Sequence, residues 1–539
     1  MRKDFKDWDY SDAQTALGKR QGSGDKESLA YVVEKDNWQD GSGWSGPQIT
    51  GISSVANTLK DGINRDFTPK GAAPSVVRRF RRGTVGRESS WTTYIEDGSN
   101  QTDARKKEAD ALLLAWWNFN KGLRVFRQAV SYCATVGRGP LRLYPPPGAM
   151  VNGQVPVLKP QDAVKQIFLL APKPDEASVI TDTWSMKKAG VYTYEDAEGK
   201  PAIGLCYVNE QGKTVIKSLQ VGSSNTAIAP KLTQRVKDYF APNSTDPELE
   251  LNGNLLLFEL DNEPLITESV KRQQKLLDKA GTVLSHEMDE DGFREKVYFN
   301  MMPPGKTVMI DDPENPGKQI EAFIQGPPSL MERGPGKRLF GQGIPLYKKD
   351  SAGAVTDVSL TTPSSETTEP VPVDTFIKTA EFAYRNILED TDQLHVMISG
   401  DASSSGESRK QARDDYTKSL EEMKSEVDYT GSSIMETVLS LVALFSKQPG
   451  YFNGIRVSFD CRIDPGPLSS EDRKTNIEEM KAEIKSMEDA RIYAGSNDPD
   501  ALAEQIEKER KEKAKNQPPP LIPPSNPAKP ANGDSEIVQ

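Results

Sequence analysis

Histidine and cysteine are both scarce in this chain, with two and three respectively among 539 residues. The cysteines, Cys133, Cys206 and Cys461, are widely spaced, odd in number and free of any CxxC pair. That argues against a disulfide framework and against a zinc site, and it leaves them as reduced, buried small hydrophobes. No run of about 18 apolar residues occurs, so no membrane span is expected. The N-terminal MRKDFKDWDYSDAQ has no apolar stretch of the kind a signal peptide needs. These absences fit a protein made in a reducing cytoplasm. An excess of positive charge is also missing: 68 basic residues face 79 acidic ones, for a net charge of −11. A protein that coats nucleic acid needs a basic footprint, which this balance does not provide. A surface past which DNA slides without being gripped remains compatible with it.

Catalytic patterns are missing as well. Gly-Lys-Thr occurs at 212–214 and 305–307, but a phosphate-binding loop needs glycine five positions before its last glycine, and Tyr207 and Asn300 stand there. His286 opens HEMDE, which lacks the second histidine of a zinc-protease helix. His395 has no GxSxG serine to activate. The acidic runs DEDG (289–292) and DDPE (311–314) read as solvated surface, and the first lacks calcium-loop spacing. No catalytic residue, metal ligand or cofactor is assigned. A hydrolase with spatially paired carboxylates stays open as an alternative, because such pairs leave no spacing signal. One basic cluster, Arg78, Arg79, Arg81, Arg82 and Arg87 around Phe80, reads either as a nucleic-acid surface or as cations paired with nearby acids.

What the sequence does contain is a long helical pattern. From Ser405 to Lys447, apolar residues at Ala412, Tyr416, Leu420, Met423, Val427, Ile434, Val438 and Leu441 fall in steps of three, four and seven. That spacing keeps one face apolar over a helix roughly 60 Å long. A kink or bend is expected at Gly431-Ser432-Ser433. Other helices are expected over 103–135, from a capped start at Asp261–Pro264 to about Met288, and from Asp374 onward. Strands and hairpins are expected over 155–260, with Asp-Ala-Glu-Gly (196–199) turning one hairpin, and again over 451–463. The Pro- and Gly-rich stretch 292–372 reads as a small β-rich insert. Ser469 or Ser470 caps a helix with Ile477, Met480, Ile484 and Met487 inside, and Asn497-Asp498-Pro499 starts another. The Pro-rich end favours polyproline II and disorder.

The order of these parts resembles the portal proteins of tailed bacteriophages. WWNFNKGLRVFRQAVSYCATVGRGPLRLY is similar to the family's wing helix running into a strand. LNGNLLLFELDNEPLITESVKRQQKLLDKAGTVLSHE resembles the entry to the first stem helix. ISGDASSSGESRKQARDDYTKSL resembles the tunnel loop opening the spine helix, and DARIYAGSNDPDALAEQIEKERKE the crown. The resemblance spans about residues 100–515 and implies an α+β portal fold in a ring oligomer. Its parts would be wing (61–261), first stem helix (262–291), clip (292–372), second stem helix (373–390), tunnel loop (391–404), spine helix with return to the wing (405–467) and crown (468–515). Two parts match nothing in the family: the polar, Gly-rich N-terminal arm (1–60), read as packing on something larger, and the Pro-rich tail (516–539), expected to be disordered.

On that resemblance the chain is expected to be no enzyme. It would form a homo-oligomeric, dodecameric ring at one capsid vertex of the virion, made in the host cytoplasm. Double-stranded DNA would pass through its channel during packaging and ejection. Terminase large subunit, major capsid protein, scaffold and a head-completion or adaptor protein would be its partners, and a membrane would not. His395, Val396, Met397, Ser399, Gly400, Asp401 and Ser403 would form the DNA-facing loop. Arg333, Lys337 and Arg338 would line the clip, where motor or adaptor docks. Another virion structural part, an adaptor or baseplate component, is the alternative within the same class.

Overall fold

The computed structural model describes residues 3–34, 70–86, 89–144, 157–195, 200–221, 248–291, 296–302, 305–311, 319–325, 342–349, 351, 355–362, 364–367, 372–398, 406–464, 470–483, 486–487, 490–491 and 499–516. The chain divides into two compact units, residues 1–465 and 466–539. Helix and sheet are mixed throughout the first.

The first unit opens with α1 (Tyr10–Arg20) and α2 (Asp25–Leu29). Asp9 and Asp12 form a reciprocal capping box at the start of α1, and Lys3 pairs with both carboxylates. What this arm packs on is the chain's own sheet: Phe5, Ala13 and Leu17 are buried against it. α3 (Ala72–Thr84), β1 (Ser90–Ile95), α4 (Asp103–Asn120), α5 (Gly122–Val136) and β2 (Arg138–Tyr144) follow. The single helix expected over 103–135 is therefore two. Lys121 adopts a left-handed backbone (φ 51°), and the Trp117 ring lies where a β-carbon on residue 122 would sit, 2.3 Å from Cε3. Only glycine fits beneath that indole, so the break serves the packing of Trp117.

After α6 (Pro160–Val164), β3 (Phe168–Leu170) joins β2 and β9 (Leu257–Asp261) in a sheet of order β3-β2-β9. Between them β4 (Ala177–Thr181), β5 (Lys188–Glu195), β6 (Pro201–Val208), β7 (Thr214–Gln220) and β8 (Glu248–Leu249) form an antiparallel meander. β5 and β6 pair antiparallel on either side of residues 196–199, as the expected hairpin requires, and the turn itself lies outside the described residues. One face of the meander, Ala189, Val191, Ile203, Leu205, Tyr207, Val215 and Leu219, meets the N-terminal residues. Cys206 and Ile216 point to the main core on the other face. All three cysteines are buried and free. Burial pushes the Cys206 and Cys461 thiols up to about 12, so they remain protonated small hydrophobes.

The next helix, α7 (Glu268–Asp291), starts later than its sequence signal. Residues 262–265 are used first to continue the extended path, with Asn262 N–H donating to Gly137 O and Leu265 N–H to Ala134 O. Thr267 then accepts from Val270 N–H at 3.3 Å and opens the helix. The insert beyond α7 is nested. β10 (Lys296–Phe299) pairs with β17 (Ser364–Thr367), β11 (Met301–Met302) with β14 (Gln342–Gly343), and β12 (Gly305–Asp311) with β13 (Gln319–Gln325). β15 (Pro345–Lys349) pairs with β16 (Val355–Leu360). The chain returns through α8 (Val373–Glu389), antiparallel to α7 and tied to it where Ser269 Oγ donates to Asp390 at 2.6 Å. After one turn, α9 (His395–Ile398), it enters α10 (Gly406–Phe445) and then β18 (Ile455–Asp460).

The apolar face of α10 from Tyr416 to Phe445 lies in the core as its spacing requires. Helical hydrogen bonding continues through Gly431, where a kink or bend was expected. What the glycine accommodates is β18. Its one edge pairs with β1, and its other edge lies along α10. Phe459 packs so closely that a β-carbon at residue 431 would come within 2.6 Å of its ring. Asp428, Ser432 and Glu436 accept in turn from the N–H groups of Cys461 (2.6 Å), Phe459 (3.0 Å) and Val457 (3.2 Å). Gly-Ser-Ser is thus a docking slot for β18.

In the second unit α11 (Ser470–Lys481) and α12 (Pro499–Asn516) occupy the expected places. Ile477 and Met487, expected inside, are exposed. α11 is too polar overall to enclose a core of its own. Residues 517–539, where disorder was expected, lie outside the described residues.

Gly431→Ala tests the slot. Helix propensity alone would favour alanine by about 1 kcal/mol, whereas overpacking against the Phe459 ring costs about 1–3 kcal/mol. A net loss of about 1 kcal/mol is expected in urea unfolding, and a gain would contradict the packing account.

Candidate functional site

The segment expected as a DNA-facing loop begins as anchored structure. Beyond α8 the chain turns at Asp392, which has positive φ (54°), and Gln393 N–H reaches back to Leu388 O at 2.7 Å. Such a closure satisfies the last helix carbonyls and turns the chain sharply. Gln393 is buried, and its amide donates to Val76 O at 3.0 Å. Arg79 of α3 donates to Gln393 Oε1 (3.1 Å) and to the Tyr384 hydroxyl (3.2 Å). Two α3 residues therefore hold the end of α8.

His395 stacks on the Tyr416 ring with centroids 4.5 Å apart. Burial, with the charges of Arg79 and Arg413, lowers its pKa to about 4. The imidazole is accordingly neutral at ordinary pH and offers no cation to a phosphate. Val396 packs against the core, while Met397 is partly exposed. Of the three described loop residues, then, two fix the base of the segment and one reaches solvent. Ser399, Gly400, Asp401 and Ser403 lie outside the described residues, as do Arg333, Lys337 and Arg338 of the insert.

The arginine cluster around Phe80 separates into roles. Phe80 is core, Arg79 is a structural tie, and Arg81 donates to Ser131 Oγ at 3.3 Å. Arg87 lies outside the described residues. Sequence reasoning missed the cations that join Arg81 and Arg82 in space: Lys121, Arg124 and Arg127 line the same cleft. Their signal was available, since steps of three place them along one side of a helix.

A second tie was also missed. Asp278, in the middle of α7, is fully buried. Its carboxylate accepts from Lys70 N–H (2.9 Å), Gln274 Nε2 (2.8 Å) and the Tyr31 hydroxyl (3.3 Å), fastening two N-terminal segments to this helix. Gln274 Oε1 in turn accepts from Ala73 N–H at 2.9 Å. Burial outweighs these donors and raises the Asp278 pKa to about 7.

No group of three His, Cys, Asp or Glu among the described residues is placed to hold a metal, and no helix among them is long and apolar enough to cross a membrane. No family model matches the chain, and no curated protein matches it. A chain from the virion of a native gene transfer agent particle is similar at 12% identity and a TM-score of 0.32, with 82% of this chain and 94% of that chain covered. A chain from the neck of the native particle, computed with C12 symmetry, is similar at 12% identity and a TM-score of 0.33, with 87% and 99% covered. At that level of likeness neither carries an assignment.

The Asp278 tie has a defined pH signature. The folded state holds this proton more tightly than the unfolded chain, so the group's contribution to stability falls as pH rises from about 4 to about 7. Asp278→Asn removes that fall. The stability of the wild type relative to the variant should decline across this window by up to about 1.4 kcal/mol per pH unit. A constant difference between the two, measured by urea unfolding, would contradict the buried carboxyl.

Proposed function

We propose that this chain is the subunit of a portal: a dodecameric ring at one vertex of a phage-like capsid through which double-stranded DNA is packaged and ejected. The observation that carries the reading is the order of parts within one compact unit. A 24-residue helix leads out to a nested β insert, an antiparallel helix of 17 residues leads back, and one anchored turn joins it to a 40-residue helix. At about 1.5 Å per residue the last is about 60 Å long, far more than a globular core needs. An insert carried on a two-helix stalk is suited to docking other assemblies in turn. Terminase large subunit and later a head-completion or adaptor protein would use it, with the wing facing major capsid protein and scaffold. The net charge of −11 suits a conduit that repels phosphate and does not trap DNA. The subunit would supply no chemistry of its own, and nucleotide hydrolysis would belong to the docked motor.

In this reading residues 399–404 form a diaphragm whose base is fixed by His395 and Val396. Small residues there allow a moving helical polymer to be followed. Deleting 399–404, which spares the anchored turn, should leave particle assembly intact and lower the amount of DNA packaged or retained. DNA content equal to the wild type would remove the diaphragm.

A further inference from the structure

Between α3 and the junction of α4 with α5 lies a cleft of about 790 Å³. Five cations line it: Arg81 and Arg82 from α3, and Lys121, Arg124 and Arg127 from the junction and α5. Among the described residues no carboxylate lines it. Asp464 touches α3 at Gly83 and Gly86 but is not among the lining residues. Among the described residues Arg82, Lys121 and Arg124 have no ion-pair partner, and they lie exposed at the rim. In a chain whose acids outnumber its bases, a cluster without counter-charge is not the expected solvated surface.

The fold holds these side chains in place. Arg127 donates through Nε to Val85 O (2.7 Å) and through an η nitrogen to Gly86 O (2.9 Å), where it closes the end of α3. Arg81 uses one nitrogen on Ser131, while its buried Nε has no partner. Burial, aided by the neighbouring cations, lowers the pKa of both guanidiniums; Arg82 acts on each of them. Lys121 is set at the rim by the break under Trp117, and α5 begins beside it, adding the positive end of its dipole.

We propose that this cleft binds adjacent phosphate groups of a nucleic-acid backbone. Four of the five cations are arginine, whose planar fork matches phosphate oxygens in pairs. The volume exceeds what one small anion fills. Arg124 and Arg127 are about 4.5 Å apart along α5, with Lys121 just before its start, comparable with the charge spacing of a phosphate strand, about 3.4 Å of axis. An acidic peptide fits less well. Its backbone would need partners for each N–H and C=O, and the walls are helices with no free strand edge. Trp117 is buried and gives no face for stacking a base, so the contact is to the backbone and independent of sequence. The inference does not depend on a ring, since a single subunit carries the whole cleft.

The test is fluorescence anisotropy of a labelled 20-base-pair duplex titrated with the full-length chain between 50 and 200 mM salt. The double variant Arg82→Ala, Arg124→Ala removes two exposed rim cations, and an unchanged thermal melt shows that it folds. Binding at low salt should weaken at least tenfold, and the slope of log affinity against log salt should lessen by about 2. Tripolyphosphate should compete with the duplex, polyglutamate of equal charge should not, and a second duplex of unrelated sequence should bind equally. Unchanged affinity and slope in the variant would overturn the proposal. So would polyglutamate binding more tightly than DNA, which would assign the cleft to an acidic protein, or tripolyphosphate binding without any binding of duplex.

Discussion

A helix standing in for a strand organises this molecule. Among the described residues β18 has a strand partner on one side only, and its other edge would be a row of unsatisfied N–H groups inside the protein. Asp428, Ser432 and Glu436 accept from the three alternate N–H groups on that edge. The match is metric. Four residues of helix rise about 6.0 Å and two residues of strand about 6.6 Å, so side chains at every fourth helical position meet every second amide. Gly431 allows the close approach, and Lys424 pairs with both Asp428 and Asp460 at 2.5 Å to secure one end. Arg456 pairs with Glu436 at the other.

Much else depends on this register. Once β18 is fixed, β1 is placed by its pairing, and Trp91, Trp117, Phe126 and Phe459 meet as a group of rings. Trp117 in turn requires the break at Lys121, and that break brings Lys121, Arg124 and Arg127 beside Arg81 and Arg82. The cationic cleft is therefore a consequence of core packing as much as of surface composition. At the opposite end of the apolar face of α10, Tyr416 holds His395, and through it the turn from which the segment at 399–404 departs.

The parts read most directly from sequence were those governed by local period. The buried face of α10 agrees with its three-and-four spacing, and the antiparallel pairing of β5 with β6 with the hairpin expected between them. What escaped was set by distant partners. The packing role of Gly431 escaped because nothing nearby in sequence announces a phenylalanine 28 positions away. Asp261–Pro264 carried helix-start residues, yet the amides of Asn262 and Leu265 were taken by Gly137 and Ala134, so the helix waited for Thr267. Arg79 read as part of a nucleic-acid surface or as a partner of nearby acids, whereas the neutral Gln393 and Tyr384 make it a tie. Among the loop residues, composition alone could not separate His395 and Val396, which anchor, from Met397, which reaches solvent.

The proposed function requires that the long helix and the stalked insert be repeated around an axis, because a single copy encloses no channel. Symmetry would turn each diaphragm segment into a collar, and each modest contact into a belt. Electron microscopy of the purified full-length chain, with the mass of single particles measured on the same sample, tests this most directly. The account predicts closed rings with a central opening and a mass corresponding to a dodecamer. A protein that stays strictly monomeric under every assembly condition would contradict it.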